Sequence, residues 1–303
     1  MPALVAHRGL ILSDSIDDYP EGIILPVDKP YRWTSADVIR KLKYAAIRHF
    51  RKKNLKVGHA GTLDPLATGV LLVCIGPACR RAQELQDHDK EYIATVRFGA
   101  TTPSYDLEKE VDRTFPYAHI TQEAVQEALK GFLGEQEQIA PLFSAKSVDG
   151  VRAYEVARRL YRGGRFSEID ATALETLHRS RITISEIELL DFTPARPATG
   201  TPAADALPAW TKNFSPNLSK NFCPTPVASA SSRIHVADTS GLGLCEARIR
   251  IVCSKGTYIR AFSRDLGEAL GSGAFLHSLR RTRNAGFRVE DALSVEEVGR
   301  VIP

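Results

Sequence analysis

Methionine occurs once in 303 residues, and the five cysteines, Cys74, Cys79, Cys223, Cys245 and Cys253, are scattered without even, dense spacing or a C-x-x-C pair. That pattern excludes a disulfide-stapled scaffold and a cysteine zinc site, and it fits a reducing cytoplasm. Long apolar runs are also missing. Nothing approaches the roughly 20 residues of a membrane span, and the N-terminal stretch from Leu4 to Leu12 is broken by His7 and Arg8, which a signal-peptide core does not tolerate. Histidines and carboxylates are not grouped at ligand spacing, which argues against a metal-dependent hydrolase. A strong net charge is absent as well: 40 Lys and Arg against 36 Asp and Glu leave only +4, too little to identify a polyanionic partner from the total.

The distribution of charge says more. Arg40, Lys41, Lys43, Arg48, Arg51, Lys52, Lys53 and Lys56 form one basic run, and Arg280, Arg281, Arg283 and Arg288 form another. Both clusters suit phosphate contacts, although runs of this kind are more often solvated helix faces. With 43% hydrophobic residues, the chain can bury the core of one large domain or two modest ones.

Periodicity gives the elements. After Ser35 as N-cap, Val38, Ile39, Leu42 and Ala45 recur at helical spacing, which predicts a helix to about Phe50 with a basic polar face. Further helices are predicted at Thr121 to Phe132, Ala153 to Tyr161 and Ile259 to Leu270, the last stopped by Gly271. Alternation predicts strands from Tyr92 to Phe98 and from Cys245 to Cys253. Without a regular βαβ repeat, the expected fold is α+β, with a mixed, largely antiparallel sheet flanked by helices. Seven prolines between Pro194 and Pro226 mark Thr193 to about Ser240 as a mobile inserted loop, in which Trp210, Phe214 and Phe222 leave room for an adhesive role, and removing Pro197 to Pro226 is expected to leave turnover largely intact. The expected organisation is an N-terminal extension over residues 1–21 and a catalytic domain over 22–303, interrupted at 193–240.

The densest stretch runs from Val57 to Leu71 and contains Gly58, Gly61, Gly69 and Pro65. It predicts a tight irregular backbone presenting side chains, with Asp64-Pro65 either a turn or a helix start capped by Asp64. Gly58-His59-Ala60-Gly61-Thr62-Leu63-Asp64-Pro65-Leu66-Ala67-Thr68-Gly69 resembles the catalytic motif of the TruB family of tRNA pseudouridine synthases. Asp28-Lys29-Pro30 with Trp33-Thr34-Ser35 resembles the family's opening motif, and Lys90-Glu91-Tyr92 with Thr102, Ser104 and Asp106 its second. Ser254-Lys255-Gly256-Thr257-Tyr258-Ile259-Arg260, Asp265-Leu266-Gly267 and Leu279-Arg280-Arg281-Thr282 resemble the third, in the right order from about Gly22 to Phe287.

The resemblance implies a pseudouridine synthase fold and an isomerase that breaks the glycosidic C–N bond of a T-loop uridine, position 55, turns the base and rejoins it through carbon, without metal or cofactor. It makes Asp64 the catalytic carboxylate, as nucleophile or as the base that opens the ribose, and Arg260 its ion-pair partner. It implies that Tyr92 stacks on the extruded base, that Tyr258 and Leu279 line the uracil pocket, and that His59 fills the space vacated by flipped nucleotides. Lys29, Asp106 and Lys255 join the implied substrate-binding set. The implied partner is the tRNA T stem-loop, met by a cytoplasmic monomer with no membrane and no obligate protein partner.

Some residues depart from the family pattern. The family's tyrosine-serine-alanine segment is Phe143-Ser144-Ala145, and the lysine usually found four positions after the aromatic is Ser147, with Lys146 one place earlier. Glycines of the family are replaced by Arg32 and Ala285, which is expected to alter loop geometry. The tail after Phe287 is short for the C-terminal PUA-like RNA-binding domain of many members, so a short form is expected, and a guide-RNA-dependent relative is disfavoured. The competing reading from another class is a T-arm-binding RNA chaperone without catalysis; intact Asp64, Tyr92 and Arg260 argue against it.

Overall fold

The computed structural model describes residues 2–148, 150–165, 168–196 and 234–303, and the chain divides into two compact units. The first comprises Met1–Ile93, Val252–Lys255 and Leu279–Pro303, and the second Ala94–Ile251 and Gly256–Ser278.

The first unit opens with β1 (Leu4–Val5), parallel to β2 (Ile23–Lys29), so the N-terminal residues contribute a strand. Helix α1 (Ser35–His49) buries Ser35, Val38, Leu42 and Ala46 at three- and four-residue spacing and packs on β3 (Val57–Ala60) and β4 (Ala67–Ile75). Its N-cap is Thr34 rather than the expected Ser35. Thr34 Oγ1 accepts from Asp37 N while the Asp37 carboxylate accepts from Thr34 N, a reciprocal capping box that leaves Ser35 free for another task. Helix α2 (Ala82–Asp87) leads into β5 (Lys90–Phe98), whose last five residues belong to the second unit.

In the second unit β6 (Ala100–Thr101) pairs with β7 (Arg113–Thr114), and Thr121 caps α3 (Gln122–Lys130). Then follow β8 (Gly134–Gln138), a small hairpin of β9 (Ser147–Val148) and β10 (Val151–Arg152), α4 (Ala153–Arg162) and α5 (Glu168–Thr176). Ala153, Ala157 and Leu160 of α4 pack with Ile169, Ala173 and Leu177 around Ile139 and Leu142. The long β11 (Ser180–Thr193) runs antiparallel to β8 and lies next to β12 (Glu246–Cys253).

Pro197 to Arg233, with most of the expected proline-rich insertion and its Trp210, Phe214 and Phe222, lie outside the described residues. Its far end is described and is packed: Ala237 is buried and donates its N–H to Leu107 O at 2.8 Å, and His235 meets Glu110 at 2.6 Å. Helix α6 (Ile259–Ala269) and the start of β13 (Ala274–Asn284) complete the unit.

From Leu279 onward β13 returns to the first unit, runs parallel to β4 and turns into β14 (Phe287–Arg288), and α7 (Val295–Val301) closes the chain's described course. Strand order there is β1-β2-β4-β13, with β3 also on β4. Val70, Leu72 and Cys74 on one face of β4 pack with Ile24, Ala60, Leu85 and Val289. The pairings are mixed but mostly antiparallel, so the α+β expectation holds.

Arg32 (φ 61°) and Ala285 (φ 54°), which stand where the family has glycine, both adopt the left-handed backbone. At both positions a Cβ therefore sits in the backbone region that glycine favours, and it bears the strain.

Candidate active site

Only residues 61–66 of the dense motif are irregular. Gly58 and His59 lie on β3 and Gly69 on β4, so His59 is a strand residue, paired across from Val73, and not a loop histidine as expected. Asp64 sits half-buried in the connecting loop, where Ala67 N donates to Asp64 O at 3.1 Å to close a turn; no helix begins there.

Three side chains hold that loop. Ser35 Oγ accepts from Leu63 N at 2.9 Å and donates to Leu63 O at 3.1 Å, with both residues buried. Lys29 is wholly buried, and its ammonium donates to Pro30 O at 2.9 Å, Trp33 O at 2.5 Å and Pro65 O at 3.3 Å. It ties the opening motif to the residue after Asp64 and is closed off from solvent. Arg281 is 1% exposed and donates to Gly61 O at 3.0 Å, Thr62 O at 3.4 Å and Val70 O at 2.7 Å. Gly69 makes this reach possible. At φ 104° its missing Cβ would lie 2.1 Å from Arg281 O, so only glycine lets β13 approach β4 here.

Charges in this unit converge on the same place. Burial pushes the Lys29 pKa down to about 7, while the nearby Asp64 charge pulls it up. Three carbonyl acceptors match the three donors of an ammonium, and a neutral amine would leave one carbonyl without its N–H. Tyr92 is 8% exposed; burial raises its pKa and the charge of Arg281 works against that rise, with Asp64 again a neighbour. Burial and then Arg281 push His59 below the usual histidine range, so its imidazole is neutral at pH 7. Leu279, 7% exposed, pairs with Ala67 just past the Asp64 turn. The structure thus gathers Lys29, Tyr92 and Leu279 around the Asp64 loop. Lys255 lies at the surface instead, where it pairs with Asp87 at 2.7 Å.

The second unit holds the other three expected residues. Arg260 is 5% exposed, which removes it from the class of surface arginines. It donates to Ser104 O at 3.1 Å and Phe143 O at 2.9 Å and lies 3.7 Å from Asp106 Oδ2. Asp106 is buried and accepts from Ser104 Oγ at 2.6 Å and Glu108 N at 2.9 Å. Tyr258 caps α6, and both its backbone groups are gripped by the Gln138 amide, at 2.8 and 3.2 Å. Lys146 donates to Ser180 Oγ at 2.5 Å.

The two basic runs separate. All eight residues of the Arg40–Lys56 run are exposed, and Lys43, Lys53 and Lys56 line a cleft of about 510 Å³ with Asn54 and Gly58. The second run does not meet the expectation of phosphate contacts at two of its four positions. Arg280 is buried against Asp28 at 2.8 Å, and Arg281 is spent on carbonyls. Sequence reading missed Ser35, Gln138 and the interior role of Arg281. Gly69 was the one available signal, since a glycine within an apolar strand marks a close backbone approach.

Residues 48–199 match the TruB family pseudouridylate synthase (N terminal domain). The tRNA pseudouridine synthase B of Phocaeicola vulgatus is 46% identical over 92% of this chain and 92% of its own length. Those of Bacteroides thetaiotaomicron and Flavobacterium johnsoniae are 44% and 38% identical, again over 92% of this chain. Among solved structures, a chain of a Cbf5-Nop10-Gar1 complex superposes with a TM-score of 0.55 at 20% identity, over 98% of this chain and 60% of that one. A chain of an H/ACA RNP bound to a substrate RNA containing 2′-deoxyuridine gives 0.51 at 20%, over 92% and 52%. This chain spans only about half to six-tenths of those two chains, and the likeness is one of fold. With relatives this similar over nearly its whole length, the chain belongs to the TruB family of pseudouridylate synthases.

Proposed function

We propose that this protein is a tRNA pseudouridine synthase that isomerises the uridine at position 55 of the T loop, with Asp64 as its catalytic carboxylate. The carrying observation is the 46% identity across 92% of the chain with a tRNA pseudouridine synthase B. The geometry suits the reading: a half-buried carboxylate on a loop pinned by Ser35, Lys29 and Arg281, with Tyr92 beside it. Rearranging a glycosidic bond needs a carboxylate fixed against the sugar or the ring, because a misplacement of about 1 Å costs on the order of 100-fold in rate. Asp64 acts as nucleophile or as the base that opens the ribose, and Arg260 orients it. Tyr92, Tyr258 and Leu279 receive the turned base, and His59 occupies the space the flipped nucleotides leave. Asp106 holds Arg260, and Lys29 holds the loop. No cofactor enters this reading. Among the described residues no helix is long and apolar enough to cross a membrane, and the reading places a monomer in the cytoplasm.

The test maps pseudouridine in an isolated T-arm stem-loop after incubation with wild-type protein and Asp64→Asn. Wild type is expected to modify the stem-loop at the one position. Asn is nearly isosteric but supplies neither nucleophile nor base, so turnover should fall by roughly 10⁴-fold or more, about 5 to 6 kcal/mol, with RNA affinity kept. An Asp64→Asn protein that works at near wild-type rate would remove Asp64 from the chemistry.

A further inference from the structure

We propose that Arg281 is a positioning residue for the isomerisation, acting through the backbone of the Asp64 loop and never touching RNA. The proposal rests on the reading of Asp64 as the catalytic carboxylate. Arg281 stands in the basic Arg280 to Arg288 run, yet among the described residues its side chain is one of the largest that are fully buried. Its Nε donates to Val70 O at 2.7 Å, Nη2 to Gly61 O at 3.0 Å and Nη1 to Thr62 O at 3.4 Å. Two of these carbonyls precede Asp64 and one follows it, so a single planar group sets the span of the loop from both sides. It therefore fixes the backbone on both sides of Asp64. The positive charge of the same guanidinium acts on the buried Tyr92 hydroxyl, against the effect of burial.

The surroundings confine Arg281 to this place. Its backbone is registered against Gly69 in the parallel β4–β13 pairing, at the contact that excludes any Cβ on Gly69. Burial lowers the pKa of Lys29, His59 and Lys90 and the Arg281 charge adds to that, while at Tyr92 it opposes the rise that burial causes. A buried guanidinium ringed by carbonyls costs desolvation that only a full set of hydrogen bonds offsets. A residue used merely for net charge or phosphate affinity would stand at the surface, as Lys43 and Lys53 do.

The experiment compares wild type, Arg281→Lys and Arg281→Ala as full-length protein on a T-arm stem-loop. Single-turnover rates at saturating protein are read beside Kd at several salt concentrations. Arg281→Lys is expected to lose about 100-fold or more in rate, because an ammonium cannot reproduce the fork, while Kd stays within about threefold and the salt slope is unchanged. Arg281→Ala is expected to regain at least about tenfold on adding guanidinium ion at a concentration that leaves wild type unaffected. A loss of about one unit of salt slope with the saturated rate intact would make Arg281 a phosphate contact and overturn the proposal. So would a rate loss that only tracks the unfolded fraction and resists guanidinium. Asp64→Asn measured in parallel separates the two claims: if that variant stays active, the Asp64 reading fails whatever the Arg281 variants do.

Discussion

Removing one hydroxyl from α1 should loosen the loop that carries Asp64. Ser35→Ala deletes the Oγ that accepts from Leu63 N at 2.9 Å and donates to Leu63 O at 3.1 Å. Each bond is worth about 1 kcal/mol net, and a buried N–H left without a partner costs about 1 to 3 kcal/mol. The carbonyl loses less, since it has a second lone pair. Against this, alanine in the first turn of α1 regains about 0.5 kcal/mol of helix propensity. The balance is a loss of about 2 kcal/mol, with almost no cavity because only an oxygen is removed. Amide exchange at Leu63 reads this directly, and about 2 kcal/mol corresponds to roughly 30-fold faster opening. Single-turnover pseudouridine formation should fall as well, because Leu63 is the neighbour of Asp64, while RNA affinity should not move. If Leu63 exchanges within about twofold of wild type and the urea midpoint is unchanged, Ser35 does not hold the loop and the reasoning fails.

Ala285→Gly should stabilise the protein by about 0.5 to 1 kcal/mol, because Ala285 sits at φ 54° at the β13–β14 turn and a Cβ there is strained; a lower urea midpoint would contradict this. His277 is pushed down to about 3 by burial, with Arg97 adding to the effect. Folded protein keeps it neutral while the unfolded chain protonates near 6.5, so its contribution is intact above that value and drains away as pH falls towards 3, at roughly 1 kcal/mol per unit. His277→Gln should flatten that part of the stability curve, and parallel curves would count against the assignment. Replacing Lys43, Lys53 and Lys56 with Gln should reduce the slope of log affinity against log salt by about 0.7 to 0.9 for each phosphate these lysines neutralise. A slope equal to that of wild type would clear the 510 Å³ cleft of any part in RNA binding.

Periodicity carried the elements well. The helix over Ser35–His49 and the strands over Lys90–Phe98 and Glu246–Cys253 follow from apolar spacing, because each buries one face. The turn at Asp64 was legible through the glycines and proline about it. What the sequence hides is direction. Arg280 and Arg281 read as surface charge beside Arg283 and Arg288, and only strand pairing turns them inward. Ser35 looks like a cap because the local pattern cannot show that Thr34 and Asp37 already satisfy the helix start. Gln138 is invisible for the same reason: its partner Tyr258 lies 120 residues away and is reached only through the fold.

The pairing of β13 with β4 also sets a schedule. The bonds from Arg281 to Gly61 and Val70 span 220 and 211 residues of chain. At a synthesis rate of roughly 5 to 20 residues per second, the Asp64 loop leaves the ribosome about 10 to 40 seconds before its clamp exists. Such distant contacts close late in folding, since the entropy of a long loop must be overcome before the contact rewards it. The nascent chain can therefore hold a folded α1 and β4 while the site stays unassembled and the edge of β4 stays open. Ribosome-bound chains stalled before Leu279 should be inactive even with the Ser35–Leu63 bonds formed, and activity should arrive only when Arg281 has emerged.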